Sequence, residues 1–130
     1  MAEVRHALTI LAVARFTECV SFYRAAFAWE VAVDTPVYVE FRVPGGQRIG
    51  IYERLSFAQN VGSVPQQAAE GVLSSTELYF YCEHLESAIA RIRTAGAREL
   101  SALAKRAWGD EAAYFADPEG NVLVLARPAV

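Results

Sequence analysis

A chain of 130 residues that is 54% hydrophobic and 21% charged is long enough to bury its own core and too apolar for a disordered segment. Twelve Lys and Arg against fifteen Asp and Glu give a formal net charge of -3, which leaves no overall positive field for nucleic acid. Cys19 and Cys82 are too few for a disulfide framework, and neither a membrane span of roughly 20 apolar residues nor a signal-peptide apolar run is present, so a cytoplasmic protein is expected.

In chain order, ALTILAV (7–13) reads as a strand. FTECVSFYRAAF (16–27) places Phe16, Cys19, Val20, Tyr23 and Phe27 at helical spacing, so one stripe faces a core. WEVAV (29–33) reads as a second strand, and 37–54 reads as a hairpin turning at Pro44-Gly45-Gly46. Residues 55–75, rich in Gly, Ser, Gln and Ala, read as a linker, either a lid or a passive connector. ELYFYC (77–82) is a strand. LESAIARIRTAG (85–96) is a helix on the stripe Leu85, Ala88, Ile89 and Ile92, with Gly96 as its stop. REL (98–100) is a short strand, and 110–128 is a hairpin turning at Pro118-Glu119-Gly120.

The second half repeats the first. A shift of 69 carries residues 16–27 onto 85–96, and a shift of 74 carries Phe41 onto Phe115, Pro44 onto Pro118, Gly46 onto Gly120 and Ile51 onto Leu125. Each half is thus β-α-β-β-β, which predicts an α+β fold: two tandem βαβββ modules in one domain spanning 1–130. Module one covers about 4–54 and module two about 76–128. Their two four-stranded sheets are expected to form a U-shaped eight-stranded cleft with the helices outside.

Three passages carry a resemblance to a known family. They are Ser21-Phe22-Tyr23-Arg24 running into Phe27-Ala28-Trp29-Glu30-Val31, Trp108-Gly109 ahead of the last hairpin, and Ala113-Tyr114-Phe115-Ala116-Asp117-Pro118-Glu119-Gly120-Asn121. Together they resemble the vicinal oxygen chelate superfamily, the group of glyoxalase I, extradiol dioxygenases and bleomycin-resistance proteins. In the first passage the family often has Leu-Gly-(aromatic)-Glu-Val. The resemblance implies a cleft between the sheets and, at this chain length, a homodimer. In the superfamily's metal enzymes four inward side chains, usually His or Glu, hold one divalent ion. The corresponding positions here are Leu8, Gly50, Glu77 and Val124, and the repeat pairs them again, Leu8 with Glu77 and Gly50 with Val124. Only Glu77 carries a donor, whereas a divalent ion needs several N, O or S ligands. No metal and no cofactor are therefore expected. His6, two residues before Leu8, is the one candidate to help; strand alternation would aim it at the same face, roughly 6–7 Å away.

If those four positions face the cleft, alternation also sends Ile10, Arg48, Tyr52, Tyr79, Tyr81, Val122 and Ala126 there, with Tyr38 and Tyr114 beside them. Ile49, Ile51, Leu78, Phe80, Cys82, Leu123 and Leu125 would pack on the helices, and both cysteines should be buried and inert. Leu8, Tyr38, Arg48, Tyr52, Glu77, Tyr79, Tyr81, Trp108 and Tyr114 are the candidate ligand contacts, suited to a planar or aromatic molecule. Glu77 is the candidate catalytic base, since a carboxylate facing an apolar cleft gains basicity; a salt bridge with Arg48 or a hydrogen bond to a neighbouring Tyr is the structural alternative. Glu40 and Arg42 read as a solvated strand edge, and His84 as surface. Three functions stay open: a metal-free binder of a small organic molecule, a lyase or isomerase using Glu77 or a weak metal site with His6, and an interaction module whose tyrosines fill their own cleft.

Overall fold

The computed structural model describes residues 3–129. Its elements are β1 (Thr9–Val13), α1 (Phe16–Phe27), β2 (Glu30–Asp34), β3 (Tyr38–Val43), β4 (Gln47–Glu53), α2 (Arg54–Val61), β5 (Glu77–Tyr81), α3 (Leu85–Thr94), β6 (Arg98–Lys105), β7 (Glu111–Ala116) and β8 (Val122–Arg127). The two sheets have the same wiring, β1-β4-β3-β2 and β5-β8-β7-β6, each with one parallel pair and two antiparallel pairs. The repeat extends to the register. Ile10 lies opposite Gly50 in the first sheet, and Tyr79 lies opposite Val124 in the second. Among the described residues no helix is long and apolar enough to cross a membrane.

The chain divides into two compact units. The first holds residues up to Val20 and Trp29–Gln67; the second holds Ser21–Ala28 and everything from Ala68 onward. In the first unit Leu11, Val13, Val39, Phe41, Ile49 and Ile51 are buried, and in the second so are Leu85, Ile89, Ile92, Phe115, Leu123 and Leu125. The strand parity expected for the core is thereby met by Ile49, Ile51, Leu123 and Leu125. Cys19 is buried, while Cys82 is only half-buried, with burial raising its thiol pKa.

The second half of α1 clusters with unit two: Phe27 packs on Phe80 with ring centroids 5.4 Å apart, and the Ala25 carbonyl accepts from Arg91 Nε at 3.0 Å. Three expectations need correction. The connector 55–75 begins with a helix. Glu53 accepts from the amides of Leu55 and Ser56 at its start, and Gly62, at φ 82, closes it by donating to the Ala58 carbonyl. Composition hid α2 because no residue in it is buried, so it lacks an apolar stripe. The strand after α3 runs to Lys105, well beyond Leu100. Finally, β1 opens at Thr9, so strand alternation does not reach His6, which is exposed with its Nε2 3.2 Å from the Thr9 hydroxyl.

The most specific sequence passage is a knot of hydrogen bonds. Asp117 donates its amide to the Asn121 carbonyl and its own carbonyl accepts from Gly120, a three-residue hairpin loop with Gly120 at φ 88. Pro118 presets the turn. The buried Asp117 carboxylate accepts from the amides of Glu119 and Asn121 at 2.8 and 2.9 Å, from Asn121 Nδ2 at 3.0 Å, and from the Tyr23 hydroxyl of α1 at 2.6 Å. Asn121 Oδ1 in turn accepts from Ser74 at 2.7 Å. A Cβ on Gly120 would meet the Val72 carbonyl oxygen at 2.3 Å, so only glycine lets this segment lie across the turn.

Asp117→Ala should cost about 3 kcal/mol, because several buried donors lose their acceptor together, whereas Tyr23→Phe should cost about 1 kcal/mol. Urea unfolding measures both, and equal losses would place the anchor elsewhere. Ala28, in the glycine position of the first family-like passage, follows α1 at φ 51. Ala28→Gly should therefore stabilise the protein by about 0.5–1 kcal/mol in the same measurement, through relief of a left-handed alanine.

Candidate functional site

Each sheet carries a tyrosine–carboxylate cluster on the face away from its buried Ile, Leu and Phe residues. In the first, register sets Tyr38 opposite Tyr52 and Glu40 opposite Gly50. The Tyr38 hydroxyl donates to Glu40 Oε1 at 2.5 Å, and Arg48 Nη1 donates to Glu40 Oε2 at 2.8 Å. Glu40 is buried, not a solvated edge residue, and it takes the Arg48 partner that sequence reasoning held open for Glu77. The Tyr38 hydroxyl, with Arg48 behind it, holds the Glu40 carboxyl below the usual carboxylate range. Burial and the adjacent carboxylate push the Tyr38 hydroxyl well above an ordinary phenol. The Tyr52 ring lies 4.9 Å from that of Tyr38, and its hydroxyl accepts from Asn60 of α2 at 3.2 Å.

Gly50 makes this cluster possible. A Cβ there would stand 2.4 Å from the Tyr38 hydroxyl oxygen and 2.6 Å from its ring carbon Cε1. Tyr38 thus occupies the space that any side chain at position 50 would need. Arg42, on the same strand as Glu40, stays exposed and pairs with Glu30.

In the second sheet Tyr79 and Tyr81 sit two residues apart on β5 and share a face. Their rings are 5.8 Å apart at 90°. Both hydroxyls donate to one oxygen, Asp110 Oδ2, at 2.8 and 2.9 Å. The other carboxylate oxygen accepts the Ala129 amide at 3.0 Å, and Trp108 Nε1 donates to the Tyr79 hydroxyl at 2.9 Å. Asp110 is only 6% exposed, yet the three rings around it are open to solvent: Tyr79 36%, Tyr81 62% and Trp108 55%. The tyrosine hydroxyls, Tyr79 first, keep the Asp110 carboxyl ionised below its usual range. Conversely, Tyr79 is raised by burial and by Asp110, and Tyr81 chiefly by Asp110.

The β6–β7 turn builds this arrangement. Gly109, at φ 99, donates to the Arg106 carbonyl at 2.9 Å, and the Arg106 amide donates to the Asp110 carbonyl at 2.7 Å, the same loop geometry as at Asp117. Trp108 stands at the tip of that loop and Asp110 at its foot. Sequence reasoning noted Trp108-Gly109 but missed Asp110, because the repeat alignment starts one residue later, at Glu111. The available signal was an aspartate directly after a glycine that closes a hairpin loop. Arg106 was missed too. Its guanidinium lies 4.9 Å from the centre of the Tyr114 ring and donates to the Ala112 and Ala102 carbonyls and the Ser101 hydroxyl, so Tyr114 is covered on one side.

The remaining candidates are apart from these clusters. Glu77 opens β5 opposite Val122, exposed, with no hydrogen bond or ion pair among the described residues. Leu8 precedes β1 and is half-buried, and Val124 is buried with Ala112 and Ala126. His84 is exposed at the start of α3 and makes no side-chain cap.

A glyoxalase-like domain profile matches residues 6–128. A search of curated protein sequences finds no match. Among solved structures, a glyoxalase-related enzyme from Fulvimarina pelagi is similar at a TM-score of 0.83 and 18% identity, over 95% of this chain and 88% of that one. A glyoxalase/bleomycin resistance protein/dioxygenase from Nocardioides gives a TM-score of 0.76 at 20% identity, over 98% and 87%. A lactoylglutathione lyase from Agrobacterium tumefaciens gives 0.72 at 18%, over 97% and 95%. At these identities the agreement is one of fold.

The residues do not fit the divalent ion of the superfamily's metal enzymes. Leu8 and Val124 have no donor atom, position 50 is filled by the Tyr38 ring, and Glu77 stands alone. Among the described residues no three His, Cys, Asp or Glu side chains gather as a metal site.

Alkaline titration of phenolate absorbance tests both clusters. In each raised tyrosine the folded protein favours the neutral phenol. Its contribution is complete below the ordinary pKa of about 10 and is lost as pH rises through the higher folded value. Tyr38, Tyr79 and Tyr81 should ionise late. Asp110→Asn should return Tyr79 and Tyr81 toward the ordinary value and leave Tyr38 late; an unchanged curve would mean that Asp110 does not hold the pair.

Proposed function

The chain belongs to the glyoxalase-like domain family, and on that premise we propose that it binds a small organic molecule, flat and at least partly aromatic, without a metal ion. The observation that carries this reading is the corner formed by Tyr79, Tyr81 and Trp108. Three large aromatic side chains remain in contact with water at one place while their polar tips are fixed by a buried carboxylate. Side chains so held lose little further freedom when a ligand arrives, which favours binding. Their faces supply apolar area and stacking, and the polar tips are already satisfied, so a ligand need not compete for them.

Tyr38, Arg48 and Tyr52 are committed to Glu40 and to one another, which makes the proposed contact set narrower than the sequence suggests. The absence of donors at positions 8, 50 and 124 supports metal-independent binding.

Two measurements check the reading. Protein purified without chelator should contain well under one divalent ion per chain by elemental analysis, and a stoichiometric ion would overturn the metal-free part. Soluble aromatic compounds should change the intrinsic tryptophan emission through Trp108, and Trp108→Ala should weaken binding about ten-fold, roughly 1.4 kcal/mol. Trp29→Phe should leave the response in place, since Trp29 packs on Phe41 in the other unit. No response to any aromatic compound would sink the binding proposal.

A further inference from the structure

Resting on that reading, we infer that the ligand group seated at Tyr79, Tyr81 and Trp108 is an organic cation, an amine or alkylammonium, drawn there by the buried carboxylate of Asp110. The two tyrosine–carboxylate clusters differ in a way that points to this. Glu40 has a cationic partner in Arg48, and the Tyr38 ring beside it packs on that of Tyr52, tilted by 55°. Asp110 is as deeply buried, but its partners are all neutral, two phenols, the Ala129 amide and the Trp108 indole N–H, and among the described residues no Lys, Arg or His pairs with it.

Two arginines of the neighbouring strands and loop are engaged elsewhere. Arg106 lies over Tyr114 and is bound to backbone carbonyls, and Arg127 pairs with Glu86 and Glu111. A full negative charge therefore sits beneath the rings without an opposite charge of the protein's own. Beside it the rings of Tyr79 and Tyr81 stand perpendicular to each other, and the Trp108 indole is tied to the Tyr79 hydroxyl. Aromatic faces attract cations through their quadrupoles. Phenols that donate to a carboxylate hold more electron density in the ring, which strengthens the attraction, and the charge beneath acts in the same direction. An anionic ligand group is disfavoured by the same arrangement. A neutral one gains stacking alone.

The test uses the full chain and three soluble probes with one phenyl ring and different charges: phenyltrimethylammonium, benzyl alcohol and benzenesulfonate, titrated by tryptophan emission and by ligand-observed NMR. Phenyltrimethylammonium should bind at least ten-fold more tightly than benzyl alcohol, about 1.4 kcal/mol, and benzenesulfonate should bind worst. Added salt should weaken the first and spare the second. Asp110→Asn should erase the preference for the cation over benzyl alcohol, so that the two bind with affinities within about two-fold of each other. Tyr81→Ala, at a more exposed position, should weaken the cation at least five-fold if the Asp110 variant does not fold. Equal binding of the cation and the alcohol by the native protein would overturn the inference and leave the aromatic site standing; no binding of any probe would remove both.

Discussion

The carboxylate of Asp117 is the constraint on which the second unit is built. It is buried and satisfied by four donors that come from its own turn, from Asn121 and from α1 through Tyr23. A buried carboxylate is tolerated only when its acceptor sites are filled, so the turn, the helix and the segment carrying Ser74 must arrive together. That requirement accounts for the clustering of residues 21–28 with the second sheet. It also explains why the most family-like passage of the sequence is structural: Asp117, Pro118, Gly120 and Asn121 each meet a demand of the loop, and none is left over for a ligand.

The same chemistry, a carboxylate filled by tyrosine hydroxyls and amides, recurs at Asp110 with a different result. Both aspartates stand at hairpin loops with the same hydrogen-bond pattern, one at the β7–β8 end and the other at the β6–β7 end. At Asp117 the bonded tyrosine is buried, and the outcome is rigidity. At Asp110 the bonded tyrosines keep their ring faces in solvent, and the outcome is a fixed surface ready for a partner. Exposure of the donors, rather than the identity of the acceptor, separates a folding device from the proposed binding surface here.

The backbone plan was legible because it depends on properties that a linear sequence carries. Residue parity placed Ile49, Ile51, Leu123 and Leu125 in the core, and the repeat seen in the sequence carries through to the register, with Ile10 opposite Gly50 and Tyr79 opposite Val124. Parity also gathered Tyr38 with Tyr52 and Tyr79 with Tyr81. What escaped was anything decided across strands by a side chain's reach. Glu40 read as solvated because alternation says nothing about whether the residue opposite is glycine. Asp110 escaped because loops break the repeat that made the strands readable. α2 escaped because its formation rests on end caps at Glu53 and Gly62, with no apolar face to announce it.

Gly50 shows why the lack of a donor at that position is more than a missing side chain. The position faces Glu40 across the β3–β4 pair, and the volume a side chain would use is filled by the Tyr38 ring on its way to the Glu40 carboxylate. Placing histidine or glutamate there would have to expel Tyr38, which would strip Glu40 of one of its two partners and take from Tyr52 the ring it packs on. Overpacking of this kind typically costs about 1–3 kcal/mol before the lost hydrogen bond is counted. The tyrosine, the glutamate, the arginine and the glycine therefore stand or fall as a set, and the first sheet is built around filling that space rather than around presenting a donor from it.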